Sequence, residues 1–510
     1  MKKPALTLAA VLALPALTTG CFSGGAGGAD GADGSGDQRL RLAMLQPPRS
    51  GLSPLSDDAF KLSRWSTAET LVELDDAGDP RPGLATSWEQ TAPREWRLEL
   101  REDVVFHDGT PMDADAVAGA LQAAVDASPV PRILDGFSLD VATDGDDAVV
   151  LTTGEVDPLL PARLSSPQLA VLAPAAYDGD GPVDPVGTGT GPFELVASDG
   201  TAGATLDRFD DYWGEPAAAA GIDVSYVPDG TARGAALRTG EADVVEAVPV
   251  SQQAGIDPDL LHEVAMPRTN TLYLNTDRGP FADPAVRAAA REALDPARIV
   301  ADVYEGSADE ATGLLGPALP WAAPLREGGS WAATVGGRVE PATPAEVDGA
   351  PITLGTFTDR AELPEVAVLL EQQLEDAGFE VTQDVREYQF IESDAIDGAF
   401  DAFLLSRATV LDSGDPVAYL ASDFGCEGSF NLSQLCDPAV DAAVEEAART
   451  PAGDERRAAI IAAEAELLAT DAAIPLLHER VSQGEAAGVR GALRDPRERE
   501  LVDSGTRVER

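Results

Sequence analysis

Two rhythms of apolar and polar positions run along this chain, and residues 352–385 carry both in succession. Ile352-Thr353-Leu354-Gly355-Thr356-Phe357 reads as a strand. Residues 363–377 then place Val366, Leu369, Leu370 and Leu374 at helical spacing. Gly378 stands where a helix C-cap belongs. Phe379-Glu380-Val381 restarts a strand, and another is predicted over 400–405. This succession is a β-α-β unit, the building block of an α/β protein with a twisted sheet. Upstream, Trp96-Arg97-Leu98-Glu99-Leu100 alternates strictly, so one face is buried and one is wet. Val104-Val105-Phe106 continues it, and His107-Asp108-Gly109-Thr110 reads as a turn. Asp113 or Asp115 then caps a helix that runs through Val117 and Leu121.

Asp-Pro pairs predict three more helix starts, at Asp283-Pro284, Asp295-Pro296 and Asp437-Pro438. Asp accepts bonds from free N–H groups of the first turn, and Pro tolerates the first helical position. Alanine-rich amphipathic helices are expected over 439–449 and 454–469, followed by a return strand at Pro475-Leu476-Leu477. Residues 185–192, Pro-Val-Gly-Thr-Gly-Thr-Gly-Pro, read as a crossover between lobes. No internal repeat is present.

The first residues follow another logic. Lys2 and Lys3 precede an apolar run over 4–17, too short for a membrane span of ~20 residues. A charged start, a short apolar stretch and small residues describe a secretory signal. It ends Leu17-Thr18-Thr19-Gly20-Cys21, which resembles a bacterial lipobox with Leu one place early. In that reading Cys21 is lipidated and begins the mature chain; the alternative is an ordinary cleaved signal. Residues 22–37 are mainly Gly, Ala, Ser and Asp, the composition of a flexible tether. No other apolar run reaches 18 residues.

Composition then narrows the function classes. The 510 residues hold 88 acidic and 36 basic side chains, a net charge of −52. Such a charge repels phosphate backbones and disfavours unaided adhesion to anionic lipid. Either it is a solvated coat or it attracts cationic ligands. Lys2, Lys3 and Lys61 are the only lysines, which leaves no P-loop lysine and no Schiff-base chemistry. No Gly-x-Ser-x-Gly elbow occurs, and His478-Glu479 lacks the second His of a zinc-protease motif. A hydrolase is therefore disfavoured. Cys426 and Cys436 read as a disulfide in an exported chain. The alternative metal pair has neither Cys-x-x-Cys spacing nor a nearby His.

A series of motifs, in order, resembles the extracellular solute-binding proteins of family 5, the large peptide-, dipeptide- and nickel-type binding proteins of ABC importers. Trp88-Glu89, Trp96, Val105-Phe106-His107-Asp108-Gly109-Thr110-Pro111 and Asp115-Ala116-Val117 form its most recognisable stretch. Pro185-Val186-Gly187 with Gly191-Pro192-Phe193, then Asp211-Tyr212-Trp213-Gly214 and Leu237-Arg238-Thr239-Gly240-Glu241-Ala242-Asp243-Val244, follow. Asn275, Pro280-Phe281-Ala282-Asp283-Pro284, Asn431, Asp437-Pro438, Arg456-Arg457 and Ile474-Pro475-Leu476 complete it over about residues 38–492.

The resemblance implies an α/β, bilobal type II periplasmic-binding-protein fold with an extra N-terminal-side domain (cluster C type). It divides the chain into a signal (1–20), a tether (21–37), lobe I (38–64, 185–276 and 476–510), an extra domain II (65–184) and lobe III (277–475). It implies ligand capture between closing lobes, delivery to ABC permease subunits, and no catalysis, cofactor or resident metal, in a chain read as a monomer. His107 and Trp213 are read as packing residues.

In the peptide-binding branch an Asp in an Asp-x-x-x-Pro segment grips the ligand's α-ammonium. Asp412-Ser413-Gly414-Asp415-Pro416 places Asp412 there, with loop capping as its alternative role. The family often has Trp three places earlier, where this chain has Thr409. Nickel-type members carry Trp and Tyr where Val410 and Gly414 stand, and only His107, His262 and His478 are present. Yet Leu62-Ser63-Arg64-Trp65, Leu71-Val72 and Pro82-Gly83-Leu84-Ala85 resemble the nickel type. Arg407, Tyr419, Trp65 and Trp321 are further expected cleft residues, as apolar walls or a carboxylate partner. The expected activity is a lipid-anchored receptor for peptides or peptide-like solutes; a nickel-chelate receptor or a surface sensor are the alternatives.

Overall fold

In the computed structural model, residues 38–178, 182–410 and 413–510 are described. Two long antiparallel strands, Leu261–Leu274 and Ala473–Glu485, run through the middle of an eleven-stranded sheet. At one end they join Val244–Val248, Arg39–Met44, Gly221–Tyr226, Gly203–Arg208 and Phe193–Ser198. At the other they join Ala402–Ala408, Pro351–Phe357 and Glu380–Arg386, and the short strand Ala308–Glu310 adds to the side of Ala473–Glu485. Each end has its own core. Leu40, Leu42, Phe193, Leu206 and Ile222 fill the first, and Leu272, Leu354, Leu370, Phe403 and Leu477 fill the second. The ladder between the long strands shifts register between Ala265 and Thr269. Pro267 lies in that gap and has no N–H to give, so the sheet is interrupted where its two halves meet.

The predicted β-α-β unit is present. Pro351–Phe357 pairs in parallel with Glu380–Arg386 and Ala402–Ala408, with helix Glu362–Asp376 between. Asp113 caps Ala114–Val125 by accepting from Ala116 N–H at 2.9 Å. Asp283, Asp295 and Asp437 each accept a first-turn N–H of the helix they precede, as the Asp-Pro pairs predicted. The return strand is longer than its apolar triplet. It spans Ala473–Glu485, because His478, Glu479, Ser482 and Gln483 are buried polar residues with no alternating signature.

A separate four-stranded sheet, in the order Ala85–Ala92, Glu95–Leu100, Ala148–Thr153 and Leu139–Thr143, packs under helix Ala114–Val125. Leu98, Leu100, Val117, Leu121 and Leu151 form its core. His107 is buried and its Nε2 meets Gly191 O at 2.9 Å. Burial lowers its pKa to about 4, so it packs as a neutral ring, edge-on to Phe209. A Cβ on Gly191 would stand 2.0 Å from Ser66 O, so only glycine allows that approach. A disulfide joins Cys426 and Cys436.

Candidate functional site

A hairpin of strands Val72–Leu74 and Pro80–Pro82 projects beside the four-stranded sheet. Asp75 orders its turn by accepting from the N–H groups of Ala77 and Asp79, both at 2.9 Å. The turn reaches the second half of the molecule at residues 413–416. Gly414 has φ +69°, a left-handed conformation that favours glycine, and it lies against Leu74 and the Gly78 carbonyl. Between these segments lies a cavity of about 280 Å³. Trp88, Trp96, Pro158, Leu159, Pro161 and Ala162 wall one side; Trp321, residues 413–416 and the start of helix Asp454–Ala469 wall the other.

Four charged side chains reach this cavity, and each is paired. Arg457 donates from Nη2 to both oxygens of Asp79 at 2.9 Å, joining the hairpin turn to the second half. Arg456 is buried. It donates to both Asp415 oxygens at 2.7 and 3.1 Å, and its Nη1 reaches the carbonyls of Ala448 and Thr450. It thus ties the Asp415 loop to the C-terminal end of helix Pro438–Arg449. Asp415 in turn accepts from Val417 N–H at the start of helix Val417–Phe424.

A second charged constellation surrounds the sheet's interruption. Arg268 clasps Glu498 through Nε at 2.6 Å and Nη2 at 3.1 Å. Arg64, from helix Ala59–Arg64, pairs with Glu246 and Glu498. Burial pushes the Glu498 carboxyl up, but Arg268, with Arg64 and Arg360, outweighs it and holds the group down at about 2. Arg360 pairs with Glu479 at 2.7 Å. The loop carrying Glu498 also sends Arg499 to Ser165, at 2.9 Å from its carbonyl. One C-terminal segment therefore touches both halves and the region beside the four-stranded sheet.

The expected site residues separate. Trp321 is half-buried and lines the cavity, with the Arg457 guanidinium 5.9 Å from its ring centre. Arg407 does not face the cavity. It is held by Asp423 through two bonds of 2.7 Å and lies 4.2 Å over Phe430. Burial lowers its pKa, but Asp423 more than restores it and keeps the cation. Tyr419 is buried in the same core, edge-on to Phe424. Trp65 needs correcting as a cleft wall. It has no exposed surface and packs with Leu40, Leu62 and Phe193, so a ligand has nothing of it to touch here. Asp412 and Cys21 lie outside the described residues. Trp213 packs as expected, donating Nε1–H to Glu69 at 3.0 Å under the Arg101 guanidinium.

Asp79, Trp88, Trp96, Asp415, Arg456 and Arg457 were not foreseen as site residues. One signal was available. Arg456 and Arg457 sit in the first turn of a helix, where cations oppose the macrodipole, so they need a reason to be there.

The model of the bacterial extracellular solute-binding proteins, family 5 Middle, matches residues 79–431. The chain belongs to this family. The nickel-binding protein NikA of Staphylococcus aureus is 25% identical over 385 residues, 73% of this chain and 75% of that one. The glutathione-binding protein GsiB of Escherichia coli O1:K1 is 30% identical over 240 residues, 44% of this chain and 46% of that one. The periplasmic binding protein DppA from Helicobacter pylori, solved with the peptide STSA, superposes with a TM-score of 0.76 at 19% identity, covering 93% of this chain and 99% of that one. The family 5 chain thus has the type II periplasmic-binding fold of its neighbours. Among its described residues, no helix is long and apolar enough to cross a membrane, and no three metal-binding side chains converge.

Proposed function

We propose that this family 5 protein is the substrate-binding receptor of an ABC importer, taking peptides or peptide-like solutes and passing them to permease subunits. It binds and does not catalyse. In this reading residues 1–20 are a signal, Cys21 carries lipid, and 22–37 tether the body outside the membrane. Lobe I comprises 38–64, 185–276 and 476–510; residues 65–184 form the extra domain, and 277–475 the second lobe.

The observation that carries the reading is the cavity between the four-stranded body and the second half. Its wall at 413–416 directly follows Asp412. An aspartate carboxylate suits an α-ammonium, because a charge-assisted bond gains strength where water is excluded. The relatives named for glutathione and for a bound peptide support a peptide-like cargo. The nickel-binding relative keeps a metal chelate as the second reading.

The test is mass spectrometry of whatever co-purifies, followed by calorimetry with short peptides and with nickel–histidine. Peptide binding that weakens by about 2–3 kcal/mol in Asp412→Ala supports the reading. Unchanged affinity removes Asp412 from the site, and binding of the nickel complex alone overturns the peptide reading.

A further inference from the structure

Deepening that reading, and resting on it, is the chemistry of the cavity itself. Three tryptophans line it: Trp88, Trp96 and Trp321. The first two are diagonal neighbours on one face of the four-stranded sheet, since Trp88 pairs with Leu98 and Gln90 with Trp96. Trp321 stands opposite, from the second half. The uncharged part of the remaining wall is mainly proline, alanine and glycine. At about 280 Å³ the space is near the lower end of ligand cavities, ~300–1,000 Å³, so it holds one compact group.

Among the described residues, every charged side chain that lines the cavity is paired. Asp79 is taken by Arg457, and Asp415 by Arg456. A further ion would be desolvated beside pairs that are already satisfied, which is costly. Three indoles could in principle cage a cation. Here Arg457 already lies over Trp321, and both carboxylates on the wall are held by arginines, so a further cation would find neither a free carboxylate nor that ring unoccupied.

We propose that this cavity receives a neutral aromatic group of the cargo, with Trp321 as the residue that sets the preference. An aromatic ring buries a large area and gains from offset or edge contacts with the indoles. Trp321 acts through direct contact with this group; Arg457 positions its ring.

The test uses the full chain and its Trp321→Ala and Trp321→Phe variants, first compared by melting temperature and circular dichroism. Calorimetry measures tripeptides X-Ala-Ala with X as Trp, Phe, Ala, Asp or Lys. The expected result is that Trp and Phe peptides bind about tenfold tighter than Ala. Asp and Lys bind no better than Ala. Trp321→Ala should bring the aromatic peptides to within about threefold of Ala while the Ala peptide keeps its affinity, and Trp321→Phe should keep most of the preference. An aromatic preference that survives Trp321→Ala overturns the proposal, as does tightest binding of the Lys peptide. If no peptide binds, the peptide reading fails, and the cavity is probed with neutral N-acetyltryptophanamide. Saturable binding lost in Trp321→Ala supports the cavity's assignment; no binding overturns it.

Discussion

The two halves of the molecule meet along two seams of unlike chemistry. At the interruption of the long strands, the charges are mostly buried, with side-chain exposures of 8–19%, and interlocked. Glu498 is clasped by Arg268 and Arg64, and Arg64 also holds Glu246. At the cavity, contact consists of a close approach of two loops, apolar walls, and one pair, Asp79–Arg457, with Asp79 exposed. A buried ion network is costly to break, because each partner left behind is an unpaired charge in a poor solvent. An exposed pair is worth little, since water replaces either partner. The first seam is therefore the harder to break and the second the easier, which is the division that the proposed capture between closing lobes calls for. Hinged closure needs this division: a few residues that hold and a surface that lets go.

The strongest challenge to this contrast is Glu498→Ala. It strands Arg268 near the sheet's interruption and leaves Arg64 with Glu246 as its remaining carboxylate. The expected loss is about 3–5 kcal/mol of unfolding free energy, read from denaturant curves. A loss under about 1 kcal/mol would mean that the network is not what holds the halves together.

Arg456→Ala comes next. It removes the partner of Asp415 and the bonds to Ala448 and Thr450. A loss of about 2–3 kcal/mol is expected, together with weaker cargo binding, because the loop after Asp412 loses its strut. Loss of stability with unchanged affinity would make Arg456 a helix cap alone. Arg456→Lys should recover little, since an ammonium cannot span two carboxylate oxygens and the carbonyls at once.

A smaller effect follows pH at Glu69, which joins the chain entering the four-stranded body to Tyr212 and Trp213. Burial pushes its carboxyl up to about 7, against the bonds from Trp213 and Tyr212 that lower it. The folded state thus holds a proton that the unfolded chain gives up at its ordinary value, so Glu69's contribution is full below about pH 4.5 and is lost as pH rises through about 7. Glu69→Gln keeps an acceptor for Trp213 and offers a donor to the Tyr212 oxygen. It should flatten the fall in stability between those limits, by on the order of 2 kcal/mol at pH 8, seen in melting curves against pH. An unchanged slope would show that Glu69 is ionised in the fold.

How far the sequence revealed each seam differs for the same physical reason. Regular periods announced the elements beside the seams: the 3.6-residue spacing of Val366, Leu370 and Leu374 placed the helix, and Asp-Pro pairs placed helix starts. The fold class was legible from those and from the ordered motifs. The site was legible in part. Trp321 and Trp65 look alike in sequence, yet one lines the cavity and the other fills a core. Nothing local distinguishes them, because the difference lies in what folds against each. Arg268 and Glu498 are 230 positions apart and carry no shared pattern. Trp88 and Trp96 were visible as strand residues, but the opposing wall comes from residues more than two hundred positions later.

The smallest expected effect is the one that sharpens the contrast most. Asp79→Asn removes the charge of the exposed pair while keeping the turn, whose N–H groups are held by Asp75. Stability should change by no more than about 1 kcal/mol. In the proposed receptor, cargo release should speed up by about two- to fivefold, because one restraint on the parting of this seam is gone. Arg457→Gln should match it, and the double variant should add nothing further, since both substitutions delete the same interaction. Stopped-flow release against a displacing ligand measures the rate, and a melt measures the stability. A loss of stability as large as that of Glu498→Ala would erase the distinction between the seams. An unchanged release rate would shift the restraint to the approach of Gly78 and Gly414, where backbones meet and no charge is involved.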